Sequence, residues 1–200
     1  SSAKSWSDLL PIIKELSSHL KKNNDQDFAQ ITNRQLLAKR LAQCLNPDCP
    51  SGIHENTLTV YKLILSNITK NHDKKLMDNL GLYAYGLFPF FPIASINNKV
   101  LFLEEIVTPF FIPMISKELK LCLSGLLSSL ILGLDDNNEK TGDLIFKAFR
   151  DLLTKNNGEL SRSFYGIYWT LLLRNRLLRN SGIKFLLNHL KNYSDYSLLS

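Results

Sequence analysis

The sequence predicts an all-α fold, and three observations carry that expectation. Leucine supplies 39 of the 200 residues, against nine glycines and seven prolines, a bias towards helix formers and away from the β-branched residues of strands. Apolar residues recur at i, i+3 and i+4 through nearly the whole chain instead of alternating. Clusters of Asn, Asp, Pro, Ser and Gly punctuate that pattern at short intervals, with no long linker between them.

Taken in order, Leu9, Ile12, Ile13, Leu16 and Leu20 form one helical stripe, with Ser7 as its expected N-cap. Leu37, Leu41, Cys44 and Leu45 form a second, and Leu58, Tyr61, Ile64, Leu65 and Ile68 a third. Between them Asn46-Pro47-Asp48-Cys49-Pro50-Ser51-Gly52 must stop one helix before the next begins near Ile53. A fourth helix is expected over residues 73–83, ended by Gly86. Residues 87–95 read as a short proline-containing helix, and 99–115 as a helix that Pro109 kinks. Residues 118–134 are apolar almost all round, which places that helix at the centre of the core. After a polar loop at 135–139, the pairs Leu144/Ile145, Ala148/Phe149 and Leu152/Leu153 make a period-four stripe, closed by Asn156-Asn157-Gly158. Residues 164–173 and 183–190 form the last two helices, separated by a turn over 174–182.

Nine or ten helices with short connections predict stacked antiparallel helix pairs, an α-solenoid of the HEAT or armadillo kind. A compact irregular bundle is the competitor, because no strict repeat of about 40 residues is visible. The 22.8 kDa chain is expected to form a single domain over residues 1–200, a fragment of a larger protein since it opens on Ser1 without an initiator Met. No signal peptide or membrane span is expected. Cys44, Cys49 and Cys122 are an odd set without metal spacing, so they read as buried thiols in a reducing compartment.

The residues 37–47, Leu-Ala-Lys-Arg-Leu-Ala-Gln-Cys-Leu-Asn-Pro, followed by Pro50-Ser51-Gly52-Ile53-His54, resemble the N-terminal domain of the Dopey family. The likeness continues through Thr57 to Tyr61, Gly86-Leu87-Phe88-Pro89, Ala94-Ser95, residues 119–134, Ser163-Phe164 and the Arg-rich stretch 174–179, about residues 34–190 in all. Residues 25–33 and 162–166 depart from the family pattern, the second lacking its Trp-Gln pair. The resemblance implies a helical, non-catalytic module of a large cytosolic protein, held peripherally on trans-Golgi and endosome membranes and acting in recycling between them. It implies protein partners: a large Sec7-related scaffold, and in some lineages a phospholipid flippase or conventional kinesin. It also implies a link to phosphatidylinositol 4-phosphate.

The residues themselves offer no catalytic set. His19, His54, His72 and His189 have no i, i+4 partner that would build a metal site, and no metal or cofactor is expected. Ser124-Gly125 lacks the glycine before the serine that a nucleophile elbow needs. A calcium-loop reading of 135–143 fails at Lys140, where the turn needs glycine. Glu104 and Glu105 are adjacent on a helix and diverge. Asn46, Pro47, Pro50, Ser51, Gly52 and His54 are expected to make a structural turn, with Ser51 capping the next helix through its hydroxyl and His54 hydrogen-bonded.

Charge is the informative property. The formal net charge is +6. Residues 147–191 hold nine basic residues and two acidic ones, a net +7, while the remaining 15 basic and 16 acidic residues leave −1. Within that span Arg174, Arg176, Arg179 and Lys184 are the candidate anion-binding set. They precede an expected helix start at Ile183 whose backbone N–H groups would add to the attraction. A phosphoinositide head group fits that chemistry. A solvated ridge used only by protein partners is the alternative. Nucleic acid is not expected, since Phe164, Tyr165, Tyr168 and Trp169 sit at core spacing where a single-strand binder would expose them.

Overall fold

The computed structural model describes residues 6–22, 33–71, 80–114, 116–134, 138–154 and 160–192, and every regular element among them is helical. They are α1 (Trp6–Lys22), α2 (Arg34–Cys44), α3 (Ser51–Asn71), α4 (Leu80–Leu87), a 3₁₀ segment (Phe88–Ile93), α5 (Ile96–Phe102), a π-helical segment (Leu103–Phe111), α6 (Ser116–Gly133), α7 (Glu139–Thr154), α8 (Ser161–Arg174) and α9 (Arg176–Asn192).

Packing partners are mostly two elements apart. α1 lies on α3, α2 on α4, α3 on α5 and the π segment, the π segment and α5 on α7, α4 on α6, and α6 on α8. The sequence neighbours α2–α3, α6–α7, α7–α8 and α8–α9 also touch. Stacked helix pairs would produce this alternation, but the elements run from 6 to 21 residues and share no repeat length. α3 is the most enclosed of the early helices because partners cover two of its faces. Thr57, Val60, Tyr61, Ile64, Leu65 and Ile68 are all fully buried, and each large apolar side chain there contributes roughly 1.5–3 kcal/mol.

Glycines set two close approaches. Gly86 does not end a helix as expected. It lies inside α4, where a methyl group would come within 2.7 Å of Ala42 Cβ, so it is the point at which α4 crosses α2. On α6, Gly125, Ser129 and Gly133 recur every fourth residue and form a shallow seat for the 3₁₀ segment. Phe88 covers Gly125, Phe91 covers Gly133, and Ser129 Oγ donates to the Phe88 carbonyl at 2.8 Å. Proline explains the π segment. Pro109 has no N–H and would press on the i−4 carbonyl of an α-helix. The wider register, in which Ile112 N donates to Val107 O at 3.0 Å, accommodates it without breaking the rod.

Several element boundaries differ from expectation. α1 starts at Trp6, so Ser7 lies inside its first turn. α3 starts at Ser51 rather than Ile53. Of the fourth helix expected over 73–83 only the part from Leu80 is described, and the stops expected at 135–137 and 156–158 lie outside the described residues. α6 is enclosed all round only over its C-terminal half; in the first half Leu119, Cys122 and Leu123 are buried while Lys117, Lys120, Leu121 and Ser124 are exposed.

The largest departure is at the end of the chain. Residues 174–182 are not a turn. α8 runs to Arg174, only Asn175 intervenes, and α9 begins at Arg176. Close packing allows so abrupt a corner. Tyr168 Oη donates to the Gly182 carbonyl at 2.5 Å, and Gly182 has no side chain to collide with Leu172. The rings of Phe149, Phe164, Tyr168 and Phe185 then join α7, α8 and α9 at centroid distances of 4.6–6.5 Å.

Candidate functional site

The Asn46 turn is exposed at Asn46, Pro47, Asp48 and Pro50 and is anchored by the buried Cys49 and His54. Asn46 Oδ1 accepts from Asp48 N at 3.0 Å, and its carbonyl accepts from Cys49 N at 2.9 Å. The same carbonyl lies 2.9 Å from His54 Nε2, which therefore carries the ring proton that the bond requires. His54 is buried and stands edge-on to Phe90 with centroids 4.9 Å apart. The expected hydrogen-bonded histidine is thus present. Asn46, Pro47 and Pro50 make the turn, but Ser51, Gly52 and His54 belong to the first turn of α3. The Pro50 carbonyl, accepting from Ile53 N and His54 N, begins that helix. Ser51 Oγ does not cap the backbone. It donates to Glu55 Oε1 at 3.2 Å and accepts from Asn98 Nδ2 at 3.3 Å, tying α3 to α5.

The thiols beside this turn are chemically quiet. Burial, then the neighbouring Cys49, pushes Cys44 up, and burial likewise raises Cys49. Cys122 is pushed up to about 12 by burial. Protonated thiols are poor nucleophiles and poor metal ligands. Glu104 and Glu105 diverge as their spacing required, Glu104 towards Lys140 at 3.6 Å and Glu105 to Lys62 on α3. Among the described residues no three His, Cys, Asp or Glu side chains converge, and no helix is long and apolar enough to cross a membrane.

Two surface features remain. The first is a groove of about 420 Å³ between α6 and α8, lined by Lys120, Ser124, Ser163, Gly166, Ile167, Thr170 and Leu171.

The second is the α8–α9 edge, where the candidate anion-binding residues lie. From Leu160 to Asn192 the chain has no acidic residue. Arg174, Arg176 and Lys184 are exposed, and no ion pair between described residues engages them. Arg179 is differently employed. Its Nε donates to Leu172 O at 3.3 Å and its Nη2 to Leu173 O at 3.2 Å, so it caps the C-terminal carbonyls of α8. The helix start expected at Ile183 does not exist, and Ile183 lies in the second turn of α9. The open N-terminus is at Arg176, where Asn175 Oδ1 accepts from Leu177 N at 3.0 Å.

Sequence reasoning missed the apolar part of this edge. Leu173 and Leu177, which flank Arg174 and Arg176, are 73% and 75% exposed. Trp169, assigned to the core with its aromatic neighbours, is 49% exposed, whereas Phe164 and Tyr168 are buried. The signal was available: Trp169 and Leu173 lie four apart on a stripe with Arg162 and Gly166, away from the Phe164–Tyr168–Leu172 core stripe.

A family model described as "Dopey, N-terminal" matches residues 1–198, further in both directions than the resemblance at 34–190. A Drosophila melanogaster "Protein DOP1 homolog" is 31% identical over 95% of this chain. A mouse "Protein DOP1B" is 29% identical over 96%, and a Caenorhabditis elegans "Protein pad-1" is 30% identical over 84%. The chain spans only 7%, 8% and 6% of those three proteins' lengths. No solved structure matches.

Proposed function

The chain belongs to the Dopey family, as its N-terminal domain, and from that premise we propose that it is a non-catalytic scaffold module in endosome–Golgi membrane trafficking that meets anionic membrane through its α8–α9 edge. The observation that carries the reading is the concentration of the entire positive charge excess at one end, ending in 33 consecutive residues, 160–192, without a carboxylate. Each basic side chain near an anionic leaflet contributes only ~1 kcal/mol, so a contiguous set is needed and scattered lysines would not serve. Arg174 and Arg176 sit on either side of a one-residue corner, and Lys184 lies two turns further on. Phosphatidylinositol 4-phosphate is the head group proposed for that set, the site is cytosolic, and no cofactor takes part.

Protein docking is the second half of the proposal, and the α6–α8 groove supports it. A lining of Ile167 and Leu171 together with the small residues Ser124, Ser163 and Gly166 lets a partner backbone come close. The partners proposed by resemblance are a large Sec7-related Golgi scaffold and a phospholipid flippase or kinesin.

Vesicle flotation with and without phosphatidylinositol 4-phosphate tests the membrane half. The expected result is retention on the phosphoinositide vesicles that is lost when Arg174, Arg176 and Lys184 are all replaced by Ser. Arg179 is left intact because it caps α8. Equal retention of the triple variant would overturn the proposed edge.

A further inference from the structure

We infer that the α8–α9 corner enters the membrane rather than resting on it, with Leu173 and Leu177 in the acyl boundary, Trp169 at head-group depth, and Arg174 and Arg176 on lipid phosphates. The inference rests on the membrane reading above and goes further, since a charged edge alone needs no insertion.

Three observations carry it. The first is exposure. Leu173 and Leu177 lie within five residues of each other around the corner and are almost wholly in solvent, with Trp169 half-exposed one turn before Leu173. Surface leucines scattered singly need no explanation, but two on one tip with an aromatic beside them mark a contact. Trp in particular favours the water–membrane interface, where its ring is buried and its N–H stays wet.

The second is shape. Leu173 and Leu177 lie on either side of a corner between two helices joined by one residue, Asn175. They do not line the α6–α8 groove, whose apolar lining is Ile167 and Leu171. A partner helix seeks a groove, whereas a lipid surface receives a protrusion.

The third is the backbone. A segment that leaves water must satisfy its own N–H and C=O groups. At this corner Asn175 N donates to Leu171 O at 2.9 Å, Arg179 takes the carbonyls of Leu172 and Leu173, and Asn175 Oδ1 takes the N–H of Leu177. Three carbonyls of the last turn of α8 and one N–H of the first turn of α9 are therefore supplied from within the chain. Arg179 contributes by fixing the tip, which leaves Arg174 and Arg176 to meet phosphate.

The test uses Trp169 as its own reporter, in a Trp6→Phe background that removes the other tryptophan. Phosphatidylcholine vesicles with and without phosphatidylinositol 4-phosphate serve as probes, and lipids brominated along the acyl chain serve as quenchers. The expected result is a blue shift and bromine quenching of Trp169 on the anionic vesicles alone. Replacing Leu173 and Leu177 by Ser, with charge unchanged, should weaken binding about a hundredfold or more, as expected for removing two leucines from an apolar phase. Circular dichroism of that variant should match the parent, since neither leucine is in the core. Anionic-vesicle binding that survives the leucine replacements but is lost on Arg174→Ser with Arg176→Ser would overturn insertion and leave the electrostatic reading standing. Failure to bind either vesicle would overturn both and leave the corner to a protein partner.

Discussion

Gly182 shows how a single position decides the shape of the edge. It sits in α9 under Leu172, and a methyl group there would lie 2.2 Å from Leu172 Cδ2 and 3.0 Å from Cδ1. Leu172 is itself buried, and its Cγ as well as both methyl carbons would lie within 3.1 Å. Gly182→Ala should therefore destabilise the domain by about 1–2 kcal/mol, overpacking outweighing the helix propensity that Ala brings. Gly142, in α7, has open space where its Cβ would be. Gly142→Ala should stabilise by about 0.5–1 kcal/mol. Urea unfolding of the two variants checks both signs. If they moved together, the close approach at Gly182 would not be what holds the corner. Little of this was legible in the sequence, because a glycine at a helix crossing and one on an open surface carry the same letter. Gly86 was misread as a stop for that reason. His54 was legible, since a histidine just after two prolines and a serine has a turn carbonyl within reach.

At the scale of elements, periodicity located the helices well where one face is wet. The stripes of α2, α3 and α7 were read correctly because an amphipathic helix marks its buried face on the sequence. Periodicity located α8 but misplaced the start of α9, where Arg174, Asn175 and Arg176 look like loop and Ser181-Gly182 looks like a helix start. The governing facts there are long-range. Ser181 and Gly182 are buried against α8, and a short polar residue fits where a larger one would not. α6 also buries a titratable group, which gives a test of its enclosure. Cys122 is pushed up to about 12 by burial, from 9.0 for a free thiol. Below pH 9 the thiol holds its proton in both folded and unfolded chains, so it contributes no pH dependence. Above pH 9 the unfolded chain ionises first, and stability falls as pH rises towards 12. Tyr83, pushed up to about 12 by burial, adds to the same alkaline loss above pH 10. Urea midpoints measured from pH 8 to pH 11 should fall, and Cys122→Ala should flatten part of that slope while starting from a lower stability at pH 8. An unchanged slope would mean that the α6 interior is wet.

For the whole molecule, the central statement is a division of labour. A nearly neutral body, joined by the Asn46 turn, the glycine seats of α6 and the aromatic cluster of α7 to α9, carries one cationic and partly apolar edge. The charge asymmetry was legible in the sequence by counting. The tip was not, because exposure of Leu173 and Leu177 depends on where α9 turns, and that depends on Gly182 and Arg179. Hydrogen exchange read by mass spectrometry, with and without anionic vesicles, tests the division most directly. The account predicts protection confined to the corner, residues 169–184, with α1 to α5 unchanged. Protection centred on the α6–α8 groove or on the α1–α3 face, with the corner unaffected, would contradict it.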